Sequence, residues 1–223
     1  MRKSDELEEL NQKWIEKCTC KLKGSCTNSV PGEGSADADI LFIGEAPGKK
    51  EDEQGKPFVG AAGKFLAEML EKISLTREDV YITNVLKYRP PNNRDPLPDE
   101  VEACWPWLQE QIMLIDPKVI VLLGRHAMDR FLPNKKISEV HGTAMRREIS
   151  GMGPRVFYVL YHPAAALYQG SLREVLIKDF KRIPKVLKAV EKESNIKEVI
   201  VPQETNEESF STDASEDKQE ILL

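Results

Sequence analysis

The chain has 223 residues, enough for one sizeable core and a tail, and at 40% hydrophobic it is ordinary for a globular protein. No apolar run approaches the roughly 18 residues that a membrane helix needs, and the charged opening MRKSDELEEL lacks a signal-peptide core, so a cytoplasmic protein is expected. In that compartment the four cysteines read as metal ligands or buried thiols before disulfides. The net charge of −5 is concentrated at one end: residues 204–223 hold seven acids and one base, a net of −6, which leaves the rest at +1. Such a body can still hold a phosphate backbone locally through clustered arginines.

Residues 4–17 place Leu7, Leu10, Trp14 and Ile15 at helical spacing behind an acidic first turn, which predicts a helix. A cysteine-bearing loop and the turn-rich VPGEGSADAD follow. ILFIG (40–44) is a short apolar run closed by glycine, a buried strand. GKFLAEMLEKI (63–73) has helical period, DVYITNVL (79–86) is a second strand and PPNNRDP (90–96) is a loop. PDEVEACWPWLQEQIMLI (98–115) predicts a long helix with acids in its first turn. KVIVLLG (118–124) predicts a third strand with a helix directly behind it, and RVFYVLYHP (155–163) a fourth. Residues 171–192 predict a last helix, bent or broken at Pro184. The tail after it is polar, acidic and nearly free of large apolar residues, so it is expected to be disordered.

Strands that are continuous apolar runs alternating with helices predict an α/β fold, a parallel sheet covered on both faces. In such folds ligands sit beyond the carboxyl ends of the strands. Here those ends read GEAPG, TNVLKYRPP, GRH and YHP, so glycines, an asparagine, arginines and histidines gather where a site belongs.

Four stretches in order, GEAPGKKEDEQGKPFVGAAG (44–63), ITNVLKYRPPNNRDP, the helix bearing Cys104, and HPAAAL, give the chain a resemblance to the family 4 uracil-DNA glycosylases, the iron–sulfur branch of their superfamily, over about residues 7–190. The resemblance implies a three-layer α/β/α sandwich around a central four-stranded parallel sheet. It also implies uracil excision, by hydrolysis of the N-glycosidic bond of deoxyuridine in DNA, leaving an abasic site. An enzyme of this kind buries a flipped base in a pocket, and glycine lets backbone approach base and sugar closely. Gly44 and Ala46 would form the pocket floor, and Phe58 would stack on the pyrimidine, a contact worth roughly 1–3 kcal/mol. Asn84 matches the base-reading position: a fixed amide favours uracil over cytosine, whose donor and acceptor are reversed. His162 matches the residue that stabilises the leaving uracil anion through O2. Glu45 and Glu51 are the acids that could hold water. Glu51 is the preferred one, because Ala46 stands where other branches carry Asp. His126 and His141 are read mainly as structural.

For DNA, the HPAAALYQG loop would follow the minor groove, with Leu167 the candidate wedge and Tyr168 second. Arg89 and Arg94, with Lys56 and Lys64, are candidate phosphate contacts. Uracil-containing DNA is the expected partner of a monomer with no membrane contact.

The cysteines depart from the family pattern. Cys104 fits, but Tyr88 stands where a cysteine is expected, and the N-terminal segment reads KCTCKLKGSC instead of C-x-x-C. Either Cys18, Cys20, Cys26 and Cys104 together bind a [4Fe–4S] cluster, or the cluster is lost, Tyr88 fills its place and the cysteines are relics or bind zinc. The expected organisation is a catalytic domain over residues 1–193 and an acidic tail over 194–223. A catalytically weak module that binds uracil or abasic DNA is the second reading. A phosphate-loop enzyme is a third, against which the missing Lys-Ser/Thr ending counts.

Overall fold

The computed structural model describes the backbone of residues 1–199 and 220–221, with side chains as far as Glu193. Its centre is one sheet. Strands β1 (Glu33–Gly34), β2 (Ile40–Gly44), β3 (Tyr81–Asn84), β4 (Val119–Leu123), β5 (Ala144–Ile149), β6 (Gly153–Leu160) and β7 (Glu220–Ile221) lie in the order β1-β3-β2-β4-β6-β5-β7. The four expected strands β3, β2, β4 and β6 are parallel neighbours, and β1, β5 and β7 add antiparallel edges.

Burial on both faces explains the unbroken apolar runs. In β2 every residue is buried, and alternate side chains divide between two cores. Ile40 and Phe42 join the core under α3 (Ala61–Glu71), α8 (Gly170–Phe180) and α9 (Ile183–Val199). Leu41 and Ile43 join the core under α1 (Lys3–Lys17), α4 (Pro98–Ile115) and α5 (Arg125–Phe131). Phe42 stacks on Phe180 with ring centroids 5.6 Å apart. This is the three-layer α/β/α arrangement that the sequence predicts.

Differences fall at edges and short elements. The antiparallel strands β1 and β5 were not predicted; both carry partly exposed residues and lack an apolar run. Short helices α2 (Lys49–Gln54) and α6 (Ile137–Val140) were also missed, each being under two turns. The expected HPAAALYQG loop contains a helix, α7 (Pro163–Tyr168), with Pro163 in the first turn where its missing N–H costs nothing. The last predicted helix is two, divided at Lys181–Arg182, and Pro184 sits in the first turn of α9. α9 runs on to Val199, past the expected domain end. The rest of the acidic tail lies outside the described residues, apart from the Glu220–Ile221 strand.

Candidate functional site

Segments that follow β2, β3 and β6 wall a cavity of about 310 Å³, among them Glu45, Ala46, Glu51, Phe58, Arg94 and His162. Gly44 ends β2. A Cβ there would overlap Asn84 Oδ1 and lie 2.6 Å from Phe58 Cζ, so only glycine lets these two side chains close on the strand end. Asn84 ends β3, almost fully buried, and its Oδ1 has no hydrogen-bond partner among the described residues. A buried acceptor left open in this way is costly and calls for a donor.

Phe58 adopts φ 52°, a left-handed conformation rare for a bulky residue. Its neighbours hold it there. Glu51 Oε1 accepts the Val59 and Gly60 amides at 2.9 and 2.8 Å. Arg77 donates to the Phe58 carbonyl at 3.1 Å and to the Pro57 carbonyl at 2.7 Å, and is itself anchored on Glu33. The Phe58 ring stacks on the His162 imidazole at 5.6 Å.

His162 caps α7: its Nδ1 accepts the Ala164 amide at 3.1 Å. The ring proton of the neutral form is therefore on Nε2. Burial pushes the His162 imidazole down to about 4, so at neutral pH it is an uncharged donor.

Glu45 stands at the mouth. Burial raises its carboxyl above the usual range, partly offset by His126. His126 Nε2 lies 3.7 Å from Glu45 and 3.2 Å from Asp95. Glu51, by contrast, spends one oxygen on the Phe58 loop. Of the candidate DNA contacts, Arg94 lines the cavity but is paired with both oxygens of the buried Glu100. Arg89 donates to Asn93 at 2.8 Å, and Lys56 pairs with Glu33 at 2.8 Å. Leu167 is 42% exposed and Tyr168 92%, large apolar surface on α7 directly after His162.

Cys18, Cys20 and Cys104 are buried together with Tyr88 and Trp107 in a separate small core, against which Ala46 of the cavity wall packs. The thiols of Cys18 and Cys20 both face that of Cys104. This contact brings the Cys18 thiol down to about 6 and drives Cys104 up. Cys26 sits at the edge of this core, half-buried, with its thiol on the Lys23 carbonyl at 3.5 Å. The buried Tyr88 hydroxyl lies beside the Cys18 thiol, and burial among these thiols drives its ionisation up. Three buried thiols and the Tyr88 phenol thus share one small core, and thiols are the donors that an iron–sulfur group takes.

The structure thus brings Gly44, Phe58, Asn84 and His162 to one point, with Glu45, Ala46 and Glu51 around it. Sequence reading missed Arg77, which acts on Phe58 from 19 positions away with no local signal. His126, read from the sequence mainly as structural, stands beside Glu45 directly after β4.

A profile of the Uracil DNA glycosylase superfamily matches residues 31–189, and the chain belongs to that superfamily. Curated relatives at high identity are named type-4 uracil-DNA glycosylases. The one from Archaeoglobus fulgidus is 54% identical over 170 residues, 74% of this chain and 84% of its own. The one from Sulfurisphaera tokodaii is 47% identical over 191 residues, 80% of this chain and 84% of its own. The one from Thermotoga maritima is 42% identical over 189 residues, 82% of this chain and 96% of its own.

Proposed function

We propose that this protein is a monofunctional uracil-DNA glycosylase, hydrolysing the N-glycosidic bond of deoxyuridine in DNA and leaving an abasic site. The observation that carries the reading is the open, buried acceptor of Asn84 beside Phe58 and His162. Uracil entering the cavity presents N3–H to Asn84 Oδ1, while cytosine presents an unprotonated N3 and leaves the acceptor unpaired. Phe58 stacks on the ring, and the close approach at Gly44 fixes the depth of the base.

As the bond from N1 to C1′ breaks, its electron pair goes to the uracil ring. Nε2–H of neutral His162 donates to O2, where that charge collects. Water adds to C1′ and its proton goes to a carboxylate. Glu45 is better suited to this than Glu51, whose Oε1 is committed to two backbone amides. Glu51 then serves by holding Phe58 in its strained conformation. Leu167 fills the gap left by the flipped base, and Arg89 and Arg94 lie close to the DNA backbone. Cys18, Cys20 and Cys104, with Cys26 at the edge of the same core, would hold an iron–sulfur group, which when bound would brace the loops around Ala46 and take no part in the bond cleavage.

The test is single-turnover excision from a duplex carrying one deoxyuridine. Asn84→Ala and His162→Ala are each expected to slow it by about 10²–10³-fold, as loss of one preorganised group does elsewhere. Undiminished rates would remove this site assignment. A wild-type chain that binds the duplex but releases no uracil would leave a binding module.

A further inference from the structure

We propose that His126 is a positioning residue for excision: its Nε2 holds the Glu45 carboxylate at the cavity mouth as the proton acceptor for the attacking water. The inference rests on the reading of Glu45 as that acceptor.

Three observations carry it. First, the turn after β4 brings His126 to the site. Gly124 has φ 91°, and a Cβ there would lie 2.9 Å from His162 Cβ, so α5 starts against the strand end that carries His162. Second, the His126 side chain is only 24% exposed, and its Nε2 lies 3.7 Å from Glu45 Oε2, the one ion-pair contact of Glu45 among the described residues. Third, the surroundings suit a charged ring in this place. The same Nε2 lies 3.2 Å from Asp95 Oδ2 and 2.9 Å from Arg125 Nη2. A neutral ring with its lone pair on Nε2 accepts from Arg125, whereas a protonated ring turns that N–H to the two carboxylates. Arg125 then still has Asp95 at 3.5 Å and Asp129 at 3.6 Å as partners, so no charge is stranded.

Glu45 can take a proton only as a carboxylate. Burial favours its protonated form and Asp95 adds to that, while His126 and, after it, Arg125 oppose it. An imidazolium beside Oε2 therefore keeps Glu45 ionised into more acidic solution and leaves Oε1 for the water. As the bond from that oxygen to C1′ forms, its proton passes to Glu45 and later to solvent; His126 neither gives nor takes a proton in the step. The other charges nearby are accounted for. Arg94 is paired with Glu100, and Arg130, on the far side of His126, with Glu102. Glu51 is bound to the Val59 and Gly60 amides, and His162 charges only at about 4.

The experiment measures single-turnover excision by the full chain on a duplex carrying one deoxyuridine, from about pH 5 to about pH 9. Enzyme is saturating, so that a change in DNA affinity does not enter the rate. The wild-type rate should rise with pH along a limb set by Glu45. In His126→Ala that limb should move up by about one pH unit, the low end of what an opposite charge at this distance does. His126→Gln, which keeps a donor but carries no charge, should move it as far. The loss is then about tenfold on the acid side of the limb and shrinks to within about twofold at the alkaline end. In Glu45→Gln, which should lack the limb, adding His126→Ala should change the rate by less than about twofold, because the two act as one unit. Equal slowing at every pH, or a limb that stays in place, would overturn the proposal and leave His126 a packing residue. So would a His126→Ala effect as large in Glu45→Gln as in the wild type. If Glu45→Gln itself excises at the wild-type rate with the limb intact, the reading of Glu45 fails, and the role of His126 with it.

Discussion

Gly44, Asn84 and His162 each do one thing that a neighbouring residue type cannot. Gly44 leaves the space that a Cβ would take from Asn84 and Phe58. Asn84 offers an acceptor that the fold leaves open. His162 is an uncharged donor because burial and the Ala164 amide fix both its charge and its tautomer. That state has a thermodynamic signature. The imidazole goes from 6.5 in the unfolded chain to about 4 in the folded one, so between those values the unfolded state binds more protons. Stability contributed here is complete above pH about 6.5 and is lost as pH falls toward about 4. In urea unfolding across that window, the wild type should lose up to about 3 kcal/mol more than His162→Gln, whose side chain does not titrate. Parallel pH profiles for the two proteins would mean that His162 is solvated and free to charge.

At the scale of elements, the decisive piece is the turn from Pro57 to Gly60 that starts α3. It is held from two sides, by Glu51 on its amides and by Arg77 on its carbonyls. Arg77 also reaches Glu33 of β1, so an edge strand outside the predicted fold steadies the aromatic that stacks on the base. Arg77→Ala should slow excision by about 10–100-fold although its side chain is not among those lining the cavity, because a misplacement of about 1 Å at a reacting geometry costs that much. It should also lower stability by about 1–3 kcal/mol, the cost of leaving buried carbonyls unpaired. Single-turnover kinetics and urea unfolding on one preparation check both; excision at the wild-type rate would show that the turn holds itself.

At the scale of the whole molecule, the sheet collects strand ends that are far apart in sequence, and α7 extends the site outward to DNA. Leu167 is exposed, so Leu167→Ala should leave stability within about 0.5 kcal/mol of the wild type. If it fills the space of a flipped base, its loss should slow excision from a duplex by about tenfold and leave single-stranded DNA nearly unaffected, since only the duplex must be kept open. Equal loss on both substrates would place Leu167 in the folding of α7 instead.

The order of the amino acids alone sets the layers of this protein. Residues 40–43, 80–82, 119–123 and 156–161 are apolar without a break, which is what a strand buried on both faces requires, and the structure places all four as parallel neighbours. It also determined the strand-end clusters, because glycine, asparagine and histidine next to such runs have few other physical reasons to be there. Edge strands were not legible: β1 and β5 are partly exposed, and pairing, not composition, makes them strands. Nor was the division of labour between two similar acids. Glu45 and Glu51 lie six residues apart in one motif, and only the chain's path shows that Glu51 meets the amides of Val59 and Gly60 while Glu45 faces the cavity mouth. The same holds for Tyr88, which in sequence is a missing cysteine. Its place is fixed by packing with Cys18, Cys104 and Trp107, which only the folded chain brings together.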